Sequence, residues 1–130
     1  MKINRKNKLT IDGLKMAICL KLKGSSDSFV EAINVAIQNN DILTWAVDVE
    51  GDYTSSVLQW QEKAWFRPIE DSFSEFNLSF GIIKARNIEL TCSLYAIYHA
   101  RFVEMLLAHF DDKIEDLKIT PLLTKGIDVF

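Results

Sequence analysis

NIELTCSLYAIYHARFVEMLLAHFDDKIEDL, residues 87–117, is the longest patterned run in the chain, and the remaining segments have to cover it. Its first part alternates. Ile88, Leu90, Cys92 and Leu94 fall on one face and Glu89, Thr91 and Ser93 on the other, the period of a half-buried strand. Between Cys92 and His99 the period changes. Val103, Leu106, Leu107, Phe110, Ile114 and Leu117 then recur at three- and four-residue steps, which predicts a helix with one apolar stripe and with Arg101, Glu104, Asp111, Asp112 and Glu115 mostly outside it. Phe102 and Met105 widen that stripe past what one sheet covers, and such a surplus is commonly buried against another subunit. These two residues are the expected self-association surface of a homodimer.

Outward from this run, Phe76, Leu78, Phe80 and Ile82 alternate as a strand to about Ala85, with a turn at Arg86-Asn87 and antiparallel pairing to the strand that opens the run. Thr54 to Trp65 reads as a helix, because Val57, Leu58, Gln61, Ala64 and Trp65 share one face and Thr54 or Ser55 can cap it; Pro68 ends it. Leu43, Trp45, Val47 and Val49 alternate with Thr44, Ala46, Asp48 and Glu50, a strand closed by Gly51-Asp52. Before it, Phe29, Val30, Ile33, Ala36 and Ile37 form a helical stripe, with Ser28 and Glu31 as a capping box and Asn39-Asn40-Asp41 as the stop. Leu14, Met16, Ile18, Leu20 and Leu22 alternate with Lys15, Ala17, Cys19, Lys21 and Lys23, which favours a strand over a competing helix from Asp12 to Lys23. Asp12-Gly13, after Leu9 and Ile11, suits a tight turn. The order of elements predicts an α+β fold: a single-layer, mostly antiparallel sheet of about 4–5 strands with about three helices packed on one face.

The chain's 130 residues fit one domain spanning 1–130, with residues 1–7 expected to fray and residues 120–130 to dock loosely, since Thr120-Pro121 breaks the chain before Ile127, Val129 and Phe130. A hydrophobic share of 48% and a charged share of 25% suffice for a core and argue against disorder. Net charge is −3, from 15 basic and 18 acidic residues, so no field is present that would collect phosphate backbones and nucleic acid is not an expected partner. Lys2, Arg5, Lys6 and Lys8 read as a solvated end. No apolar run approaches the roughly 20 residues that span a bilayer and no signal-peptide cleavage pattern occurs, so no membrane partner is expected and the predicted compartment is the cytoplasm. Cys19 and Cys92 are expected to be reduced, buried thiols.

Three groups of residues carry candidate chemistry. Asp48, Glu50 and Asp52 form D-x-E-x-D at a strand end, with the first two about 6–7 Å apart on one face, suited to a hard divalent cation. The calcium-loop pattern fails, because its glycine would fall at Tyr53 and its bidentate Glu at Gln59. The competing reading is the charged, solvated face of an edge strand. His99 and His109 lie about 15 Å apart along a helix and cannot share a metal ion. Cys92 comes closest to pairing with His99, but its apolar neighbours imply an inert thiol. Trp45, Trp60 and Trp65, with Tyr95 and Tyr98, are aromatics with polar handles, able to line a pocket for a flat ligand or to anchor a partner, and equally suited to a core. No P-loop, GxGxxG or G-x-S-x-G pattern is present.

The expected function is therefore a small non-enzymatic binding domain without a cofactor, with no catalytic residue assigned. Its partner would be a small apolar ligand or a protein, bound through Trp45, Trp60, Trp65, Tyr95 and Tyr98, and the chain would self-associate as a homodimer. An immunity- or antitoxin-like accessory protein is a variant in which the acidic residues form the contact. The alternative is a small metal-dependent hydrolase or nuclease-like enzyme using Asp48 and Glu50, with Asp52 as a further ligand and His99 or Tyr98 assisting.

Overall fold

Ile18, Leu20 and Leu22 do alternate as a strand. The computed structural model describes Lys6, residues 17–70 and residues 75–119. Within it, β1 (Ala17–Leu22) buries those three side chains while Lys21 stays half-exposed. Its partners on the two sides are β5 (Leu78–Lys84) and β6 (Ile114–Ile119). The sheet continues from β5 through β4 (Ala64–Glu70) and β3 (Tyr53–Ser55) to β2 (Trp45–Val47), in the order β2-β3-β4-β5-β1-β6, with every pair antiparallel. Two α-helices, α1 (Ser26–Gln38) and α2 (Cys92–Phe110), and a 3-10 turn at Asp111–Lys113 between α2 and β6 complete the described elements. The α+β class and the single antiparallel sheet agree with expectation, but among the described residues there are 6 strands and 2 α-helices in place of 4–5 and three.

Strand registers define the core face. Phe66 lies opposite Ile82 and Tyr53, Ile18 opposite Phe80, and Leu20 opposite Leu78 and Leu117. Phe29 and Ile33 from α1, and Leu94, Tyr98, Phe102, Leu106 and Phe110 from α2, join the same cluster. Phe102 is its hub, with ring centroids 4.6 Å from Phe66, 4.8 Å from Trp45 and 5.0 Å from Phe80. Phe102 and Met105 are thus 0% and 4% exposed inside the chain's own core, which corrects their assignment to a dimer surface. The stripe of α2 is rotated from the expected one because Leu94, Tyr95, Tyr98 and His99 in its first turns set the phase, leaving Leu107 45% exposed.

Three misreadings share one origin, namely spacing that mimicked the wrong period. The expected strand over Ile88–Leu94 is a short approach to α2, whose first turn is capped by the Thr91 side chain accepting from Leu94 N–H at 3.1 Å. At the other end, Ile114 and Leu117 are not helical. A bulge between Lys21 and Leu22 in the β1–β6 register lets residues three apart both turn toward the core, so a strand showed a helical step. Thr54 to Trp65 is likewise no helix. It leaves β3, turns through Glu62 at a positive φ of 54° and enters β4. The Thr54 hydroxyl organises this turn by donating to the Ala64 carbonyl at 2.8 Å and accepting from Glu62 N–H at 3.1 Å. Pro68 sits inside β4, opposite Phe80, and beyond the one register pair between β3 and β4, Tyr53 with Phe66. There, among the described residues, β4 has a ladder neighbour on one side only, which is where a strand proline is tolerated.

α1 starts one turn before the expected capping box. Ser25 is the cap and accepts from Ser28 N–H at 3.2 Å, and the helix stops at Asn39 followed by Asn40 with a positive φ of 62°. Cys19 is half-buried and Cys92 exposed, both free, so the expectation of buried thiols fails at Cys92 in the first turn of α2. Among the described residues no helix is long and apolar enough to cross a membrane. Residues 1–5, 7–16 and 120–130 lie outside the described residues, and with them the expected Asp12-Gly13 turn and the C-terminal segment.

Candidate functional site

The D-x-E-x-D residues occupy the hairpin turn between β2 and β3. Asp48 shapes the turn, its Oδ1 accepting from Glu50 N–H at 2.9 Å and from Asp52 N–H at 3.0 Å, while Gly51 supplies the required positive φ of 84°. One oxygen from each of the three carboxylates falls within 4.8 Å of the others. The space they enclose holds an ammonium group. Lys6 Nζ donates to Asp48 at 2.5 Å, Asp52 at 2.7 Å and Glu50 at 3.1 Å, and Arg67 closes a two-pronged bond on Asp52 at 2.9 and 2.7 Å. Asp52 is 0% exposed, so the reading of all three carboxylates as a solvated strand face is corrected.

Burial works against the charge on Lys6, but its hydrogen bonds to Asp48, Asp52 and Glu50 outweigh that and raise its pKa above the usual lysine value. Burial likewise opposes ionisation of Asp48, yet the Lys6 bond and the turn amides hold its carboxyl below the usual range. A buried charge that is paired and fully hydrogen-bonded avoids the large penalty of an isolated one. The cluster therefore fastens Lys6 to the sheet, helped by the bridge of Lys6 to Ala85 and by the Arg86 side chain donating to the Lys6 carbonyl at 3.1 Å. Lys6 is 7% exposed, which corrects its placement in a frayed, solvated end.

This cluster is on the sheet face away from the helices, since the pleat turns Arg67 opposite to Phe66. Trp65 shares that face. It is 3% exposed, pairs with Ile83 across the sheet, and has Lys6 Nζ 5.1 Å from its ring centroid. The histidines are elsewhere. His99 is 3% exposed on the core side, its ring against Tyr95 at 3.7 Å and Phe66 at 5.0 Å, and His109 is exposed in the last turn of α2. The sheet thus separates Asp48 and Glu50 from His99 and from Tyr98. Cys92 lies seven residues before His99, about 10 Å along the helix axis.

The aromatic residues divide in the same way. Trp45, Trp60 and Tyr98 come together around one groove between the β2–β3 edge and α2, with a cavity volume of about 340 Å³. Val57 and Ile97 add apolar wall, and Thr44, Gln59 and the exposed Arg101–Glu104 ion pair at 3.4 Å form a polar rim. Tyr98 is fixed from behind: its hydroxyl donates to the Trp60 carbonyl, accepts from Ala64 N–H at 3.3 Å and lies 3.4 Å from the Thr54 hydroxyl. Trp60 is half-buried, and Lys63 Nζ lies 5.8 Å from its ring centroid. Trp65 and Tyr95 do not reach the groove, the first lying on the far face and the second stacked on His99. A second concavity of about 380 Å³, near the start of α1, is walled mainly by polar groups such as Lys23, Ser25, Ser28 and Asp112.

Sequence reasoning missed Lys6 and Arg67 at the charge cluster, and Ile97, Val57 and Arg101 at the groove. Arg67 was within reach: a hairpin reading of Tyr53 to Phe66 sets residue 67 opposite residue 52. Lys6 carried no local signal, because its partners lie 42 to 46 residues away. No family model, no curated protein and no solved structure matches the chain.

Proposed function

We propose that the chain is a non-enzymatic binding domain whose groove between β2–β3 and α2 takes a small, flat, largely apolar ligand. One observation carries the proposal: three aromatic side chains from separate segments, Trp45, Trp60 and Tyr98, converge on a single concavity. Its volume of about 340 Å³ is at the lower end of the roughly 300–1,000 Å³ typical of small-molecule sites, and apolar walls with a few polar groups at the rim are the usual composition. Offset or edge-on contact with Trp60 and Tyr98 suits an aromatic ring in particular.

A protein partner is the second reading. Leu43 and Leu58 are 73% and 87% exposed, and each is adjacent in sequence to a residue that lines the groove, Thr44 and Val57. The metal-dependent alternative requires a divalent cation to displace Lys6 from Asp48, Glu50 and Asp52.

Thermal unfolding, followed through tryptophan fluorescence, separates these readings. A groove ligand present at a hundred times its Kd stabilises the fold by about 2.7 kcal/mol. Trp60→Ala and Ile97→Asp should abolish that shift. Failure of every apolar compound to shift the melt, together with retention of a host protein that Leu58→Asp abolishes, transfers the assignment to a protein partner. Stabilisation by Mg²⁺ or Mn²⁺ that is lost in Asp48→Asn favours the hydrolase.

A further inference from the structure

We propose that β6 is a self-association strand, pairing antiparallel with the β6 of a second copy of the chain about a two-fold axis at Leu117. The groove plays no part in this. β6 ends the sheet with β1 as its neighbour, so among the described residues one row of its backbone groups has no strand beside it. Leu117 shows which groups those are. Its N–H is held by the side-chain Oδ1 of adjacent Asp116 at 2.8 Å, which places this donor on the open side of the strand. A ladder donor satisfied only by an exposed neighbouring carboxylate is readily taken over by an added strand.

The side chains select the partner. Across β1, Asp116 lies opposite Lys21, Lys118 opposite Cys19, and Leu117 opposite Leu20. Asp116 and Lys118 are therefore on the sheet face away from the helices, and Leu117 is on the core side. Charge on an edge strand ordinarily keeps other strands away. Here the two charges are of opposite sign and flank Leu117 symmetrically. An antiparallel copy centred on Leu117 sets Asp116 of each chain against Lys118 of the other, twice, while the two Leu117 residues exchange N–H···O=C bonds at the axis. A parallel copy in register sets Asp against Asp and Lys against Lys. Sliding by one residue puts Leu117 opposite a charge and turns the faces out of step. The surface is thus complementary to itself in one register, the requirement of a closed two-fold interface. Ile119, 43% exposed and on the same side as Leu117, falls opposite Glu115 of the second copy, at the end of the new ladder. At the other end the bulge, with Glu115 held to Lys21 at 3.7 Å, sets the limit of the new ladder.

Charge exchange tests the pairing on the full chain by sedimentation velocity. The wild-type protein should sediment as a dimer. Asp116→Lys and Lys118→Asp, each of which creates two like-charge contacts, should each weaken association by about tenfold or more, equivalent to about 1.4 kcal/mol. The double exchange D116K/K118D should restore the dimer. Both positions are exposed, so the melting temperatures of the isolated chains should match. A second readout needs no variant: the Leu117 amide should be protected from hydrogen exchange in concentrated wild-type protein and lose that protection on dilution. A wild-type monomer, single variants that dimerise like wild type, a double exchange that stays monomeric, or a Leu117 amide indifferent to concentration would each overturn the proposal.

Discussion

Acidification should destabilise this protein through one buried imidazole. His99 is 3% exposed, its Nδ1 hydrogen donates to the Tyr95 carbonyl at 2.8 Å, and its Nε2 is buried with no hydrogen-bond partner among the described residues. A second proton would place a charge on the buried Nε2, which meets no acceptor among the described residues. Burial accordingly lowers the His99 pKa from 6.5 to about 4, against a smaller opposing effect of the Tyr95 bond. Because the folded pKa lies below the unfolded one, the unfolded chain takes up the proton first. The stability associated with neutral His99 is complete above about pH 6.5 and is lost as pH falls toward about 4, with no further loss from this group below that. At about 1.36 kcal/mol per pH unit, the interval from 6.5 to about 4 corresponds to about 3 kcal/mol. Urea unfolding of wild type at about pH 7, 5.5 and 4.5 should trace that decline. His99→Gln, which keeps a polar side chain but cannot titrate, should be less stable at neutral pH and nearly flat across the window. Asp48 does not obscure the result, since its carboxyl is held below the usual range and its contribution disappears only at lower pH. An unchanged slope between about pH 6.5 and 4 in His99→Gln would refute the reasoning.

Three further outcomes follow from packing and pairing. Trp45→Ala should cost about 3–5 kcal/mol in chemical denaturation, because the ring is 3% exposed and meets Phe102, Tyr98 and Phe66; a loss under about 1 kcal/mol would mean the ring is not core. Asp52→Asn should cost about 3 kcal/mol by removing the charge that Lys6 and Arg67 share, and the denaturant midpoint should show it. Thr91→Ala should cost about 1 kcal/mol through loss of the α2 cap, whereas Leu58→Ser, at a position 87% exposed, should change stability by less than about 0.5 kcal/mol.

The groove was half legible before any coordinates. Trp45, Trp60 and Tyr98 could be singled out as amphipathic aromatics, but nothing in their spacing distinguished them from Trp65 and Tyr95. Separation of the two sets depends on the pleat, which turns Trp65 to the face opposite Phe66, and on the phase of α2, which stacks Tyr95 on His99. The acidic triplet was legible as a cluster, and its meaning was not. Its counter-charge comes from Lys6, 42 residues before Asp48, and no local pattern encodes a partner at that distance.

Local periodicity by itself determined the α+β class, the antiparallel character of the sheet, β1, β5 and the core of α1, since alternation over several residues and a capped helical stripe are properties of neighbouring residues. Tertiary structure alone decided the boundaries where two periods met. A bulge made β6 look helical, a side-chain-braced turn made Val57 to Trp65 look like one helix face, and the Thr91 cap started α2 where alternation still held. The β6 bulge depends on pairing with β1, a segment far outside the window in which periodicity can be read, whereas the Thr54 bonds and the Thr91 cap are local and outweighed the pattern around them. The same holds for function: residue types nominate chemistry, and only the sheet's two faces settle which of those residues can act together.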